Sequence, residues 1–286
     1  MKQEYEQFLF CLQISALQRQ PWVDHRLLRV LLEKEGRALD LKYFSKAIPA
    51  ASSVDSCDQK MDAYDMGIRA CCLSDDCYPK RLRQTSGCPL VLYYRGKSLL
   101  WNHPVAVTVV GTRKPSQYGR KVTQKIVSDL VCHDILIISG LARGIDGLAH
   151  RTALEKKGLT LAVVAHGIDF VYPPEHHQLM ESIIQNGVVV SEHPPGIRPK
   201  RSYFPARNRI LSGLSDVVAV MEAKKQSGTL ITAGFAADQG RDVLAVPGDI
   251  LTLQNEGCHQ LIREGAGLLE SANDVLAALP NGLPSI

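Results

Sequence analysis

Six short apolar runs constrain this chain more than any other feature: VAVTVVG (105–111), ILIISG (135–140), TLAVVAHG (160–167), VVVSE (188–192), VVAVMEA (217–223) and DVLAVPG (242–248). None alternates polar with apolar residues, so each reads as a strand covered on both faces. The segments between them read as helices. One runs from near Gly144 to Lys157–Gly158, one from Pro173–Pro174 to Asn186–Gly187, and one over LITAGFAADQG to Gly240. Proline pre-sets the helical φ at a start and glycine closes an end without steric cost, which suits the second of these. Strands alternating with helices imply right-handed crossovers and a parallel sheet. The expected fold is α/β and Rossmann-like.

Before the sheet, residues 1–66 read as a small all-α domain, with residues 67–286 forming the sheet domain. VDHRLLRVLLEKEG offers Asp24 as a cap, apolar residues at helical spacing and Gly36 as a stop. The polar stretch AASSVDSCDQ then loosens the pattern. A hydrophobic fraction of 45% with 22% charged residues is globular, and excludes disordered and fibrous classes. MKQEYEQFLF lacks the basic start and long apolar run of a signal peptide. Nowhere do about 18 apolar residues run together, so no membrane helix is expected and the protein reads as cytoplasmic. The eight cysteines contain no Cys-x-x-Cys and are followed by no His-x3–5-His, so reduced thiols are expected rather than disulfides or a metal site.

A parallel sheet binds ligands beyond the carboxyl ends of its strands, and this edge is rich in glycines, hydroxyls and arginines. GTRKPS (111–116) follows the first strand, with Arg113 and Lys114. SGLARGID (139–146) follows the second. Its glycines Gly140 and Gly144 open backbone amides to an anion, Arg143 adds a planar fork for phosphate oxygens, and Ser139 leads the turn. The same glycines equally suit a tight turn in which Asp146 caps the helix or meets His150. After the fifth strand, QSGT (226–229) supplies Ser227, Gly228 and Thr229 behind Lys224 and Lys225, as a phosphate loop or as a plain helix cap.

The stretch RPKRSYFPARNR (198–209) holds Arg198, Lys200, Arg201, Arg207 and Arg209 around Tyr203 and Phe204, with no acid among them. Cations that follow a backbone, beside rings that stack bases, are what single-stranded nucleic acid requires. Alternatively Phe204 plugs the core while the arginines meet Glu192, Asp216 or Glu222; at least one of Arg207 and Arg209 is expected in such an ion pair. A net charge of +4 is too small to decide a polyanion partner by itself. The chain has no G-x4-G-K-[ST], no G-x-G-x-x-G, no G-x-S-x-G and no H-E-x-x-H. Asp146, Glu192 and Glu222 each stand beside cations and do not resemble a two-metal cluster. The site is read as one that holds its ligand without cutting it, with no cofactor and no metal.

VVGTRKPSQYG, ISGLARGIDGLAH, VYPPEH, FPARNRILSGL, KKQSGTLITAGFAADQG and GCHQLIREGA closely resemble the DNA-processing protein A family, from about residue 77 to about 269. The resemblance implies a Rossmann-like domain extended by extra strands, single-stranded DNA taken up in natural transformation as ligand, shielding of that DNA from nucleases, and delivery of the recombinase RecA to it without catalysis. It implies a DNA pocket using Arg113, the Ser139–Gly144 turn, Lys200, Phe204, Asn208 and Ser227–Thr229. Homodimers form through the C-terminal part of the domain in that family, and the stretch 256–264 with His259 and Leu261 is placed near the dimer or RecA contact. The N-terminal helices resemble, in general character only, the sterile-alpha-motif-like module that many members carry, and no winged helix is expected after residue 286. The competing reading is a nucleotide-metabolising enzyme of phosphoribohydrolase type. That reading requires a G-G-x-G-T run with a catalytic Glu, where this chain has QSGTLITAG and Thr232.

Overall fold

All six apolar runs form strands in the computed structural model, which describes residues 2–20, 23–39 and 57–279. They are β3 (Ala106–Val110), β4 (Leu136–Ser139), β5 (Thr160–Val164), β6 (Val188–Ser191), β7 (Val217–Val220) and β8 (Asp242–Ala245). Among themselves they pair parallel throughout, and a two-residue β9 (Gly267–Leu268) extends the parallel row. Strands β3 to β7 are buried along their whole length, and on β3 alternate residues serve two cores. On β3, Val107 and Val109 join one cluster with Ile126, Val127 and Leu130 of the helix Gln117–Cys132; Ala106 and Val110 join the other, with Ile210, Leu211 and Leu214 of the helix Tyr203–Leu214. A fully buried valine contributes roughly 1.5–3 kcal/mol, so neither face of such a strand can turn to water.

Two strands lie outside those runs. β1 (Arg69–Cys72) pairs antiparallel with β2 (Val91–Gly96), which pairs antiparallel with β6. The sheet therefore has nine strands in the order β1-β2-β6-β5-β4-β3-β7-β8-β9. Chain order runs outward from β3 to β6 on one side and from β7 to β9 on the other. The reversal of direction falls between β3 and β7, so the crevice of such a sheet opens above the ends of these two strands.

Helix ends follow the sequence cues. Asp24 Oδ1 accepts the Arg26 and Leu27 amides at 2.8 and 3.2 Å, starting the helix His25–Glu35. Gly36 closes it with φ of +56°. This helix and Lys2–Gln18 pack Leu28, Leu32, Phe8 and Leu12 into the same core as Leu92 and Tyr93 of β2. Gln7 and Arg37 donate to Asp75, at 2.7 and 2.8 Å, across that contact. Residues 50–56 of the polar stretch lie outside the described residues. Among the described residues, no helix is long and apolar enough to cross a membrane.

The basic-aromatic stretch 198–209 is half helix. Residues 198–202 are irregular, and Tyr203 begins the twelve-residue helix Tyr203–Leu214. Pro205 fits because it stands in the first turn, where its missing N–H would have no helical partner.

Candidate nucleic-acid interface

The end of β3 is locked to the turn after β4 by two glycines. A Cβ on Gly111 would stand 2.6 Å from Ile145 Cγ1 and 3.0 Å from the Glu222 carbonyl. Gly144 has φ of +80°, and a Cβ there would meet the backbone of Arg113 at 2.6–2.7 Å. The backbone can therefore close: Thr112 N donates to Glu222 O at 2.8 Å and Ile145 N to Thr112 O at 3.1 Å. Arg113 is held exposed above this joint, its guanidinium 5.5 Å from the centroid of the Phe204 ring. Phe204 in turn meets Tyr172 at 5.7 Å between ring centroids.

Between these groups lies a cleft of about 680 Å³. Of the residues singled out from sequence, it gathers Arg113, Arg201, Phe204, Asn208, Ser227, Gly228 and Thr229. It also takes in Arg207, but only at its base. Arg113, Arg201 and Lys224 are exposed and carry no ion pair among the described residues. Ser227 caps the helix Gly228–Asp238, accepting the Thr229 amide at 3.1 Å, and its hydroxyl lies 3.0 Å from Thr229 Oγ1. The cap reading of this loop is therefore correct, and the loop still faces the cleft. Gly228 has nothing within 4 Å of an added Cβ, so its small size leaves the cleft open rather than relieving a clash.

Beneath the floor sits a buried ionic layer. Arg207 is 5% exposed, and its Nη1 donates to the carbonyls of Gly140, at 2.8 Å, and Val163. Asp146 is 6% exposed and lines the cleft from below. Burial pushes its carboxyl up, opposed by Arg207 and by the amides of Ala142 and Gly140. Burial likewise brings Arg207 down to about 10, with Asp146 working against it. A Cβ on Gly140 would overlap Arg207 Nη1 and lie 2.6 Å from Asp146 Oδ2, so this glycine is fixed by the layer.

Several expected contacts fall elsewhere. Ser139 is fully buried and donates to Val109 O at 2.6 Å, out of reach of any ligand. Arg207 holds strand-end carbonyls and is not part of an exposed rim. The ion pair expected of Arg207 or Arg209 belongs to Arg209, which meets Glu192 at 3.0 Å. Arg143 is exposed but bonds Glu175, whose carboxyl is drawn down to about 2 by that arginine, and neither lines the cleft. Gly144 is internal to the joint, Lys114 is exposed beside the cleft without lining it, and Lys200 faces a second groove. Asp146 does not meet His150, whose Nδ1 lies 2.6 Å from Thr160 Oγ1. Glu222 turns from the cleft to accept the Ser116 amide and hydroxyl, at 3.1 and 2.7 Å.

Tyr172 and Gln226 line the cleft but were not expected there. An aromatic residue in the loop that follows β5 was the available signal for Tyr172. His259 Nε2 lies 3.0 Å from the carbonyl and 3.2 Å from the amide of Gly248, and Leu261 is half-buried. Among the described residues, Cys11, Cys72 and Asp75 bring ligand-type atoms within 4.8 Å of one another, but Asp75 already accepts from Gln7, Arg37 and the Cys72 amide.

The order of the strands and the cationic, ring-lined cleft at their reversal define an extended Rossmann-like α/β protein with an anion-receptive edge. Residues 69–280 match the sequence profile of the family described as DNA recombination-mediator protein A, and the chain belongs to that family. It is 46% identical over 203 residues to DNA processing protein DprA of Streptococcus pneumoniae, covering 71% of each chain. It is 42% identical over 207 residues to protein Smf of Escherichia coli, covering 72% of this chain and 55% of that one. Among solved structures, DprA of S. pneumoniae superposes with a TM-score of 0.78 at 37% identity, covering 92% of this chain and 96% of the other. DprA of Helicobacter pylori, described for its single-stranded DNA binding mode, gives 0.66 at 28% identity over 73% of this chain and 93% of that one.

Proposed function

We propose that this chain binds single-stranded DNA in the cleft above β3 and β7, shields it, and delivers RecA to it during natural transformation, without chemistry on the strand. The observation that carries this reading is the gathering of Arg113, Arg201 and Lys224 in one cleft with the Phe204 and Tyr172 rings, Arg113 lying over Phe204. Cations neutralise phosphates, and the rings offer π-faces that any base can use. Asp146 is the one carboxylate lining the cleft among the described residues, and it lies recessed beneath the floor, so the exposed groups a strand would meet are cations, hydroxyls and rings. The H. pylori relative supports the ligand class.

The chain acts as a homodimer in this reading, from a helical domain at 1–66 and a DNA-binding domain at 67–286. Ile250, Leu251 and Leu253 are 84%, 87% and 67% exposed on one loop, a run that favours a protein contact over water. His259 grips Gly248 at the base of this loop and so positions the apolar run, while Leu261 lies on the helix Glu256–Arg263 beside it. Fluorescence anisotropy of labelled oligothymidylate tests the binding, with gel analysis of the recovered strand. Salt-sensitive binding of strand that stays intact is expected; released base or shortened strand points to an enzyme. RecA filament assembly on the bound strand, with and without this protein, tests delivery. Light scattering of Leu251→Lys, expected to halve the mass, tests pairing.

A further inference from the structure

The helix Tyr203–Leu214 and the turn before it have two faces, and the DNA cleft uses one of them. Arg201, Phe204, Asn208 and Leu211 line that cleft. Lys200, Tyr203, Ala206 and Arg209, three residues apart, face the other way into a separate groove of about 1020 Å³. The far wall of this groove is built by the N-terminal helices, through Arg19, His25, Arg26 and Arg29. The basic-aromatic stretch is thus a ridge between two depressions.

The groove repeats the chemistry of the cleft. Tyr203 lies against His193, with ring centroids 4.2 Å apart and planes inclined by 34°, which makes a near-stacked pair. Lys200 Nζ is 5.7 Å from the Tyr203 centroid. The acids within reach are already matched: Glu192 bonds Arg209 and Glu33 bonds Arg29. Arg19, Arg26 and Lys200 are exposed and carry no ion pair among the described residues. The groove is left with uncompensated positive charge beside an aromatic pair.

We infer that this groove is a second subsite for the same single strand. DNA leaving the cleft crosses the ridge at Lys200–Phe204 and lays its next phosphates along Arg19, Arg26 and Lys200, with a base against Tyr203 and His193. The inference rests on the cleft being the first DNA site. It gives the N-terminal helices a direct part in holding DNA.

The test compares oligothymidylates of about six and about fifteen nucleotides, lengths within the range one module covers. The full-length chain is compared with its double variant Arg19→Ser, Arg26→Ser, both exposed positions outside the cleft. The short strand should bind the two proteins equally. The long strand should bind roughly tenfold more weakly at 0.15 M salt, and its log–log salt slope should shrink by about 1.4, or about 0.7 for each phosphate no longer neutralised. Unchanged affinity and slope for the long strand would overturn the second subsite while leaving the cleft intact. Equal losses at both lengths would also overturn it, since the arginines would then act only through their general field. Failure of the short strand to bind the unaltered chain, or its indifference to Arg113→Ala, would instead remove the cleft reading.

Discussion

Replacing Arg207 by methionine should destabilise the fold far more than removal of any exposed arginine. The guanidinium is buried, supplies a donor to the carbonyls of Gly140 and Val163, and is the positive charge that acts most strongly on the buried Asp146. Methionine fills much of the volume but leaves two strand-end acceptors unmet and one carboxylate unbalanced. Leaving a buried charge without its compensating neighbour costs about 3–5 kcal/mol. For a chain of this size each kcal/mol moves the midpoint by about 2–4 °C, so a fall of about 6–20 °C in thermal melting is expected. Adding Asp146→Asn to Arg207→Met should recover part of that loss, because the stranded charge is then gone. Arg207→Lys should not restore stability, since an ammonium lacks the planar fork of a guanidinium. A fall of less than about 2 °C for Arg207→Met, or a double variant whose loss equals the sum of the two singles, would refute the account of this layer.

Three further outcomes follow from the same geometry. Arg113→Ala should weaken oligothymidylate binding and reduce the log–log salt slope by about 0.7, read by anisotropy between low and moderate salt. Phe204→Ala should cost about 1–3 kcal/mol of binding and leave the slope unchanged, because it removes a stacking face and no charge; a changed slope would contradict that role. His150 is fully buried and held neutral down to about 3, chiefly by burial and then by His176, Arg151 and Arg207. Its unfolded counterpart titrates near 6.5, so between about pH 6.5 and 3 the unfolded chain binds the extra proton and stability falls as pH falls, by at most about 1.4 kcal/mol per unit from this group. His150→Gln should flatten that acid limb in denaturant titrations at successive pH values.

The parallel core was legible because burial on both faces leaves an unbroken apolar run, as in AVTVV of β3 and VVAV of β7. The antiparallel edge was not. RACC of β1 and VLYYRG of β2 are short, and β2 mixes exposed Gly96 with half-buried Tyr94 and Arg95, so neither shows a clean period. The helix Gln117–Cys132 went unread although Ser116 caps it and Ile126, Val127 and Leu130 mark its buried face. The helix Tyr203–Leu214 was hidden by Pro205 and its arginines, features that suggest a loop until the proline is seen to occupy the first turn. The chemistry of the cleft was visible as residue types, but depth was not. Nothing in RPKRSYFPARNR distinguishes Arg207, which the helical period turns inward, from Arg201, which stays in solvent. The same period separates Lys200 and Tyr203 from Arg201 and Phe204, and only with the helix in place does one basic stretch become the wall of two grooves.

Ultraviolet crosslinking of oligothymidylate to the full chain, with the adducts mapped by mass spectrometry, tests the central claim most directly. Adducts concentrated on the peptides carrying Tyr172 and Phe204, suppressed by unlabelled strand and by salt, are the predicted result. Adducts confined to other surfaces, with those two peptides unmodified at saturation, would contradict the account.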